Sequence, residues 1–175
     1  MISTSRDPRE RQITLELFGR GPELLSEALR GCPKKMWLYR PVDDRWSIHE
    51  IILHLADSEV EAYVLCRQFT AEPRSVVFTH DPFRWVSTLG YFHQSAKEAL
   101  ELIMRLRRMT CRILRYIPDP VWAHIALHPR KRIMTLEEWL GVQTQHIAHH
   151  IEQIHQNYAE WPKRKGRAGH ANRHA

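Results

Sequence analysis

The sequence predicts an all-α fold: a four-helix bundle with long connectors between helices two and three and between helices three and four. Three observations carry this prediction. Apolar residues recur at helical spacing in four segments of about 20–25 residues each. Proline and glycine punctuate the gaps between those segments. No stretch reads convincingly as a strand. A chain of 175 residues is long enough to bury one such core as a single domain without disulfide or metal staples.

The first segment runs roughly from Pro8 to Leu29, with Ile13, Leu15, Leu17, Phe18, Leu24, Leu25, Ala28 and Leu29 on its apolar side. Gly19, Gly21 and Pro22 interrupt it, so a kink or break is expected there. Gly31-Cys32-Pro33 ends it. The second segment opens at Ser47-Ile48-His49-Glu50, a capping box in which serine and glutamate each satisfy a free backbone N–H. Trp46 precedes the cap as a hydrophobic staple would. Ile48, Ile51, Ile52, Leu55, Ala62, Tyr63, Cys66 and Phe69 continue the stripe until Pro73. Residues 74–92 hold Phe78, Phe83 and Trp85; a connector of this length is expected to be functional or partly helical. The third segment spans about Gln94 to Ile117, and Pro118-Asp119-Pro120 stops it. Residues 121–134 form a second connector. The fourth segment starts at a second capping box, Thr135-Leu136-Glu137-Glu138, and is expected to end at Trp161-Pro162. Its inner stripe reads Leu136, Trp139, Leu140, Gln143, Ile147, His150, Ile151, Ile154 and Tyr158.

Charge separates the body from the tail. The chain has 26 basic and 20 acidic residues. Five of the basic ones (Lys163, Arg164, Lys165, Arg167, Arg173) lie within residues 162–175, which hold no acid, so residues 1–161 carry 21 against 20. Basicity is therefore a property of the tail, which is expected to be a disordered, solubilising end behind a single domain at 1–161. A nucleic-acid-binding domain would carry its positive charge on a folded face, so no specific nucleic-acid partner is expected. No apolar run is long enough to span a bilayer, and Met1 to Asp7 lack a signal-peptide core. Cys32, Cys66 and Cys111 include no CxxC pair. The expected compartment is a reducing cytosol.

Histidine is the unusual residue: there are twelve, and His146, His149, His150 and His155 fall in ten positions. His146 and His150 are four apart, so they share one face of the fourth helix, with Trp139 and Gln143. A rigid i,i+4 pair can hold one metal ion through two ring nitrogens. A third ligand must come from another helix, and His54, at the edge of the second helix's apolar stripe, is the best candidate. Three neutral imidazoles with water completing the shell would make an open, reactive site. The competing reading is that these are hydrogen-bonded bundle residues, because HxxxH is far less specific than HExxH.

Three stretches together resemble the DinB/YfiT superfamily of metal-binding four-helix bundles. Trp46-Ser47-Ile48-His49-Glu50 through His54-Leu55-Ala56-Asp57 is similar to the family's W-S-x-x-E-x-x-x-H-L-x-D segment. His128-Pro129-Arg130-Lys131-Arg132-Ile133-Met134-Thr135-Leu136 is similar to its H-P-x-x-G-x-x-T-L entry to the last helix. His146 through Ile154 is similar to its H-x-x-H-H-x-x-Q-I stretch. The likeness covers roughly residues 10–160 and implies a ligand triad of His54, His146 and His150, the same three that spacing selects. Arg132 stands at the family's glycine position, so the turn before the last helix is expected to differ.

The resemblance implies a divalent metal (zinc, nickel, iron or manganese), a homodimer, and either of two chemistries. One is transfer of a low-molecular-weight thiol such as bacillithiol or mycothiol to an electrophile; the other is metal-dependent hydrolysis. The sequence favours thiol transfer slightly, because no general base stands beside the HxxxH pair. A non-catalytic stress-associated metal-binding bundle is the third reading, with His128 or His93 closing the coordination sphere as its signature. Among the neighbours, Asp57 and Glu59 are expected to orient ligand histidines or to pair with Arg45 or Arg67. Gln143 could meet a ligand water, Trp139 is core, and His49 and His149 lie at the surface. Cys66 and Cys111 are inert core, and Cys32 is a turn cysteine with no signal for activation.

Overall fold

The computed structural model describes residues 7–76, 79–128 and 132–168 of the chain. Four long helices are present, as expected: α1 (Pro8–Arg30), α2 (Ile48–Ala71), α4 (Ala96–Leu114) and α5 (Leu136–Ala168), with a short α3 (Pro82–Thr88) between α2 and α4. Both capping boxes form. Ser47 Oγ accepts from the Glu50 N–H while Glu50 accepts from the Ser47 N–H. Thr135 and Glu138 exchange the same pair at the start of α5.

Helix packing gives the bundle its topology. α2 packs on α4, α1 packs on α5, and the square closes through α1 with α4 and α2 with α5. The consecutive helices α1 and α2 therefore lie across a diagonal, as do α4 and α5. The connectors 31–47 and 115–135 make those crossings, and the long connector 72–95 joins the neighbours α2 and α4. They also account for much of what the sequence left open. The connector after α2 carries α3 and a 3-10 turn at Tyr91–His93, so it is partly helical, as expected. The connector before α5 departs from expectation: it contains an antiparallel hairpin, β1 (Ile125–His128) with β2 (Arg132–Thr135), in the register Ile125↔Thr135 and Leu127↔Ile133. These four-residue strands are too short to register as a periodic signal. The Arg132 backbone thus belongs to a strand, and the turn at 129–131 lies outside the described residues.

The structure corrects two further expectations: the break at Pro22 does not form, and α5 does not stop at Trp161-Pro162. First, α1 runs unbroken through Pro22. Proline offers no N–H to the carbonyl four residues back, and that carbonyl, on Phe18, accepts instead from Arg107 Nη1 at 2.9 Å. Gly21 allows the close approach behind it, since a Cβ there would meet Ile147 Cγ2 at 3.1 Å and Arg107 Nη1 at 3.3 Å. Second, α5 continues past Trp161-Pro162 to Ala168, so the first residues of the basic tail are helical; 169–175 lie outside the described residues.

The interior has two apolar clusters. One gathers Leu25, Met36, Ile48, Ile52, Tyr91, Ile103, Ile147 and Ile154. The other gathers Phe18, Leu65, Phe69, Leu114, Trp122, Leu136 and Trp139. Glu59 and Arg107 occupy the level between them, each 3% exposed. The Arg107 guanidinium is bidentate on Glu59, with contacts of 2.6–3.0 Å, and lies 3.8 Å from the centre of the Phe18 ring. Among the described residues no helix is long and apolar enough to cross a membrane.

Candidate metal centre

The site is built where α2 faces α5. The Ser47 cap fixes the start of α2 and so places His54 two turns in. Asn157, fully buried on α5, donates from Nδ2 to the Trp46 carbonyl at 2.9 Å and ties the entry of α2 to α5. The Trp46 ring then lies 4.8 Å from that of His54 and stacks on His150 at 6.1 Å with a 15° interplanar angle.

The three expected ligands come together. His146 Nε2 is 3.2 Å from His54 Nε2 and 3.0 Å from His150 Nε2, and one nitrogen from each ring lies within 4.8 Å of the others. His54 and His150 are each 5% exposed. Burial pushes His54 from 6.5 down to about 2, with His150, His146 and His80 adding to the effect. Burial pushes His150 to about 4, helped by His149 and opposed by its hydrogen bond to Gln153. Both are therefore neutral at ordinary pH and hold lone pairs. His150 Nδ1 is 2.8 Å from Gln153 Oε1. An amide oxygen only accepts, so Nδ1 carries the proton and Nε2 is bare toward the centre.

These spacings fit a divalent metal. Nitrogens about 2.0–2.1 Å from a shared ion are separated by about 2.9 Å at right angles and about 3.3 Å in a tetrahedron. The observed 3.0 and 3.2 Å fall in that interval. A cation bound there would satisfy one ring nitrogen from each of the three histidines at once.

A cleft of about 350 Å³ opens over the triad, walled by Trp46, Pro82 and Phe83 with His149, Arg45 and Asp44 at its rim. Phe83 is 70% exposed and its ring is 5.3 Å from Trp46.

The family models match residues 17–154, and the family matched is the DinB superfamily. The chain belongs to the DinB superfamily. Two relatives are "Putative metal-dependent hydrolase YfiT" of Bacillus subtilis, 27% identical over 113 residues, and a protein of Oceanobacillus iheyensis with the same functional name, 26% identical over 109 residues. These alignments take in 64% and 62% of this chain, and 64% and 63% of the relatives' own length, a little under two thirds. In fold, the chain superposes on the four-helix bundle of YfiT from Bacillus subtilis with a TM-score of 0.84 at 22% identity, covering 91% of this chain and 92% of that one. It superposes on a mycothiol-dependent maleylpyruvate isomerase with a TM-score of 0.67 at 14% identity, covering 82% and 60%.

Several neighbours take roles other than those expected in this DinB chain. Glu59 pairs with Arg107, and Asp57 accepts from the Tyr91 hydroxyl; neither meets a ligand histidine, Arg45 or Arg67. Burial, reinforced by Asp57, raises the Tyr91 hydroxyl above its ordinary range. Arg45 pairs with Glu160 at 2.7 Å, and the Arg67 guanidinium lies over Tyr63. His149 is exposed, as expected, but His49 is half-buried, with Nε2 2.8 Å from the Tyr91 carbonyl. Tyr158 is exposed and Asn157 takes its place in the interior. Trp139 is core between Phe18 and Phe69, and Gln143 is half-buried away from the cleft lining. Cys32, Cys66 and Cys111 are buried thiols; burial raises all three, Cys66 to about 11. His93 is exposed beside Phe92 and stands apart from the triad; the His128 side chain lies outside the described residues.

Sequence reasoning missed His80. Its side chain is 6% exposed, its Nδ1 is 2.7 Å from Glu61 Oε2, and its ring centre is 6.2 Å from that of His54. No pattern in a loop announces such a residue. Gln153, quoted in the last motif, had no assigned role.

Proposed function

We propose that this chain is a metal-dependent hydrolase centred on His54, His146 and His150. The observation that carries the reading is the convergence of three ring nitrogens beside an open cleft, all within 4.8 Å, with His146 Nε2 3.2 Å from that of His54 and 3.0 Å from that of His150. The names of its sequence relatives support hydrolysis. A divalent metal bound there supplies Lewis acidity and lowers the pKa of water, and such a centre can work without a neighbouring protein base. The missing base is thus no argument against hydrolysis. The chain's own contribution is positional. His54 and His150 stay neutral through burial, Gln153 fixes the tautomer of His150, and Trp46 with Phe83 presents an apolar wall to a substrate.

Thiol transfer is the second reading, supported by the fold shared with a mycothiol-dependent isomerase. The test is elemental mass spectrometry on wild type beside His54→Ala, His146→Ala and His150→Ala, then turnover of ester, amide and lactone panels with and without a low-molecular-weight thiol. The expected result is about one metal per chain, lost in each variant, with thiol-independent hydrolysis. Turnover that requires the thiol would replace hydrolysis with transfer. No metal uptake at all would reduce the family likeness to one of fold.

A further inference from the structure

Two buried nitrogens have no hydrogen-bond partner, Nδ1 of His54 and Nε2 of His80, on rings whose centres are 6.2 Å apart. Their chemistry is complementary. Glu61 follows His54 by seven residues on α2, so the two share a face, and the Glu61 carboxylate holds His80 Nδ1 at 2.7 Å. A carboxylate only accepts, so the proton sits on Nδ1 and His80 Nε2 is left as an acceptor. Trp85, with its ring centre 4.3 Å away, packs against the His80 ring. His54 directs Nε2 into the triad, so its proton belongs on Nδ1, a donor. Metal-ligating histidines almost always give that second N–H to an acceptor, which fixes the ring and raises its basicity. Gln153 does this for His150; within α2 nothing does it for His54.

We propose that Glu61 and His80 are positioning residues for His54, forming a carboxylate–imidazole–imidazole chain that orients this ligand. A direct N–H···N bond would put ring centres about 5 Å apart. The 6.2 Å between ring centres is longer than that, a gap that a bridging water or a small shift of the His80 ring would close. The connector between α2 and α4 is then part of the metal centre and not merely its cover. This inference rests on the metal-binding reading above and is independent of which reaction the centre performs.

The test is zinc affinity, measured by competition with a chromophoric chelator on the full chain. Imidazole proton resonances of the zinc-loaded protein are the second readout. His80→Ala and Glu61→Ala should each weaken zinc binding about 10–100-fold and shift or broaden the His54 Nδ1–H signal. Glu61→Gln keeps an acceptor for His80 and should stay close to wild type. Tyr91→Phe removes another tie between the same connector and α2, the bond to Asp57, and should leave affinity unchanged. If His80→Ala fails to fold, the contrast between Glu61→Ala and Glu61→Gln carries the test. Unchanged affinity in both alanine variants, or an equal loss in Tyr91→Phe, would overturn the proposal while the triad stands. A wild-type chain that takes up no zinc would overturn the metal reading itself.

Discussion

Replacing Arg107 with leucine should be among the most damaging single changes that leave the candidate site's own residues intact. The side chain is 3% exposed, makes three contacts of 2.6–3.0 Å to Glu59, and supplies the Phe18 carbonyl with the donor that Pro22 cannot. Breaking a buried pair from one side leaves an uncompensated charge and costs about 3–5 kcal/mol. The abandoned carbonyl adds about 1 kcal/mol or more. A loss of about 4–6 kcal/mol against a total of about 5–15 kcal/mol would lower a urea midpoint by about 2–3 M if m is about 2 kcal/mol/M. Removing both charges with Glu59→Leu and Arg107→Leu together should recover most of the loss, because only the Phe18 carbonyl is then unsatisfied. Pro22→Ala provides an independent check: by restoring a backbone N–H it should help the Arg107→Leu background about 1 kcal/mol more than wild type. Urea unfolding of the single and double variants measures all of this. A loss below about 1 kcal/mol for Arg107→Leu, or a double variant as damaged as the single, would refute the view of this layer as one coupled unit.

Acid should destabilise the metal-free chain through the triad. Unfolded imidazoles take up protons near 6.5, whereas folded His150 does so only near 4 and His54 near 2. The unfolded state therefore binds more protons in between, and stability falls as pH drops through that window, by about 3 kcal/mol from His150 alone. Unfolding of wild type against His150→Leu from pH 7.5 to 4.5 checks this, since the variant should gain on wild type as pH falls; a constant difference would contradict it. Gly21→Ala should destabilise by about 1 kcal/mol, because crowding Ile147 and Arg107 outweighs alanine's better helix propensity, and a melting temperature at or above wild type would show that the α1–α5 contact can relax. Asn157→Ala should cost about 1–2 kcal/mol by freeing the Trp46 carbonyl, and tryptophan fluorescence should report a looser Trp46. Phe83→Ala should leave stability within about 0.5 kcal/mol, as for other exposed sites, yet weaken substrate binding, visible as a raised KM with kcat retained.

Much of this molecule is determined by signals that act within a few residues. Helical periodicity, two capping boxes and an i,i+4 histidine pair are local, so the four long helices and the candidate ligands His146 and His150 were legible in the sequence, with His54 added by its place at the edge of an apolar stripe. The tertiary structure decided what depends on distant partners. Glu59 and Arg107 are 48 positions apart, and nothing near either one announces the other. The same pairing explains why Pro22 sits in an unbroken helix. Asn157 and not Tyr158 faces inward because the Trp46 carbonyl needs a donor. His80 reaches Glu61 and the neighbourhood of His54 from a connector with no period to read. Periodicity reports which face of a helix is buried; only the packed bundle reports against what, and the polar groups it encloses are matched across the fold.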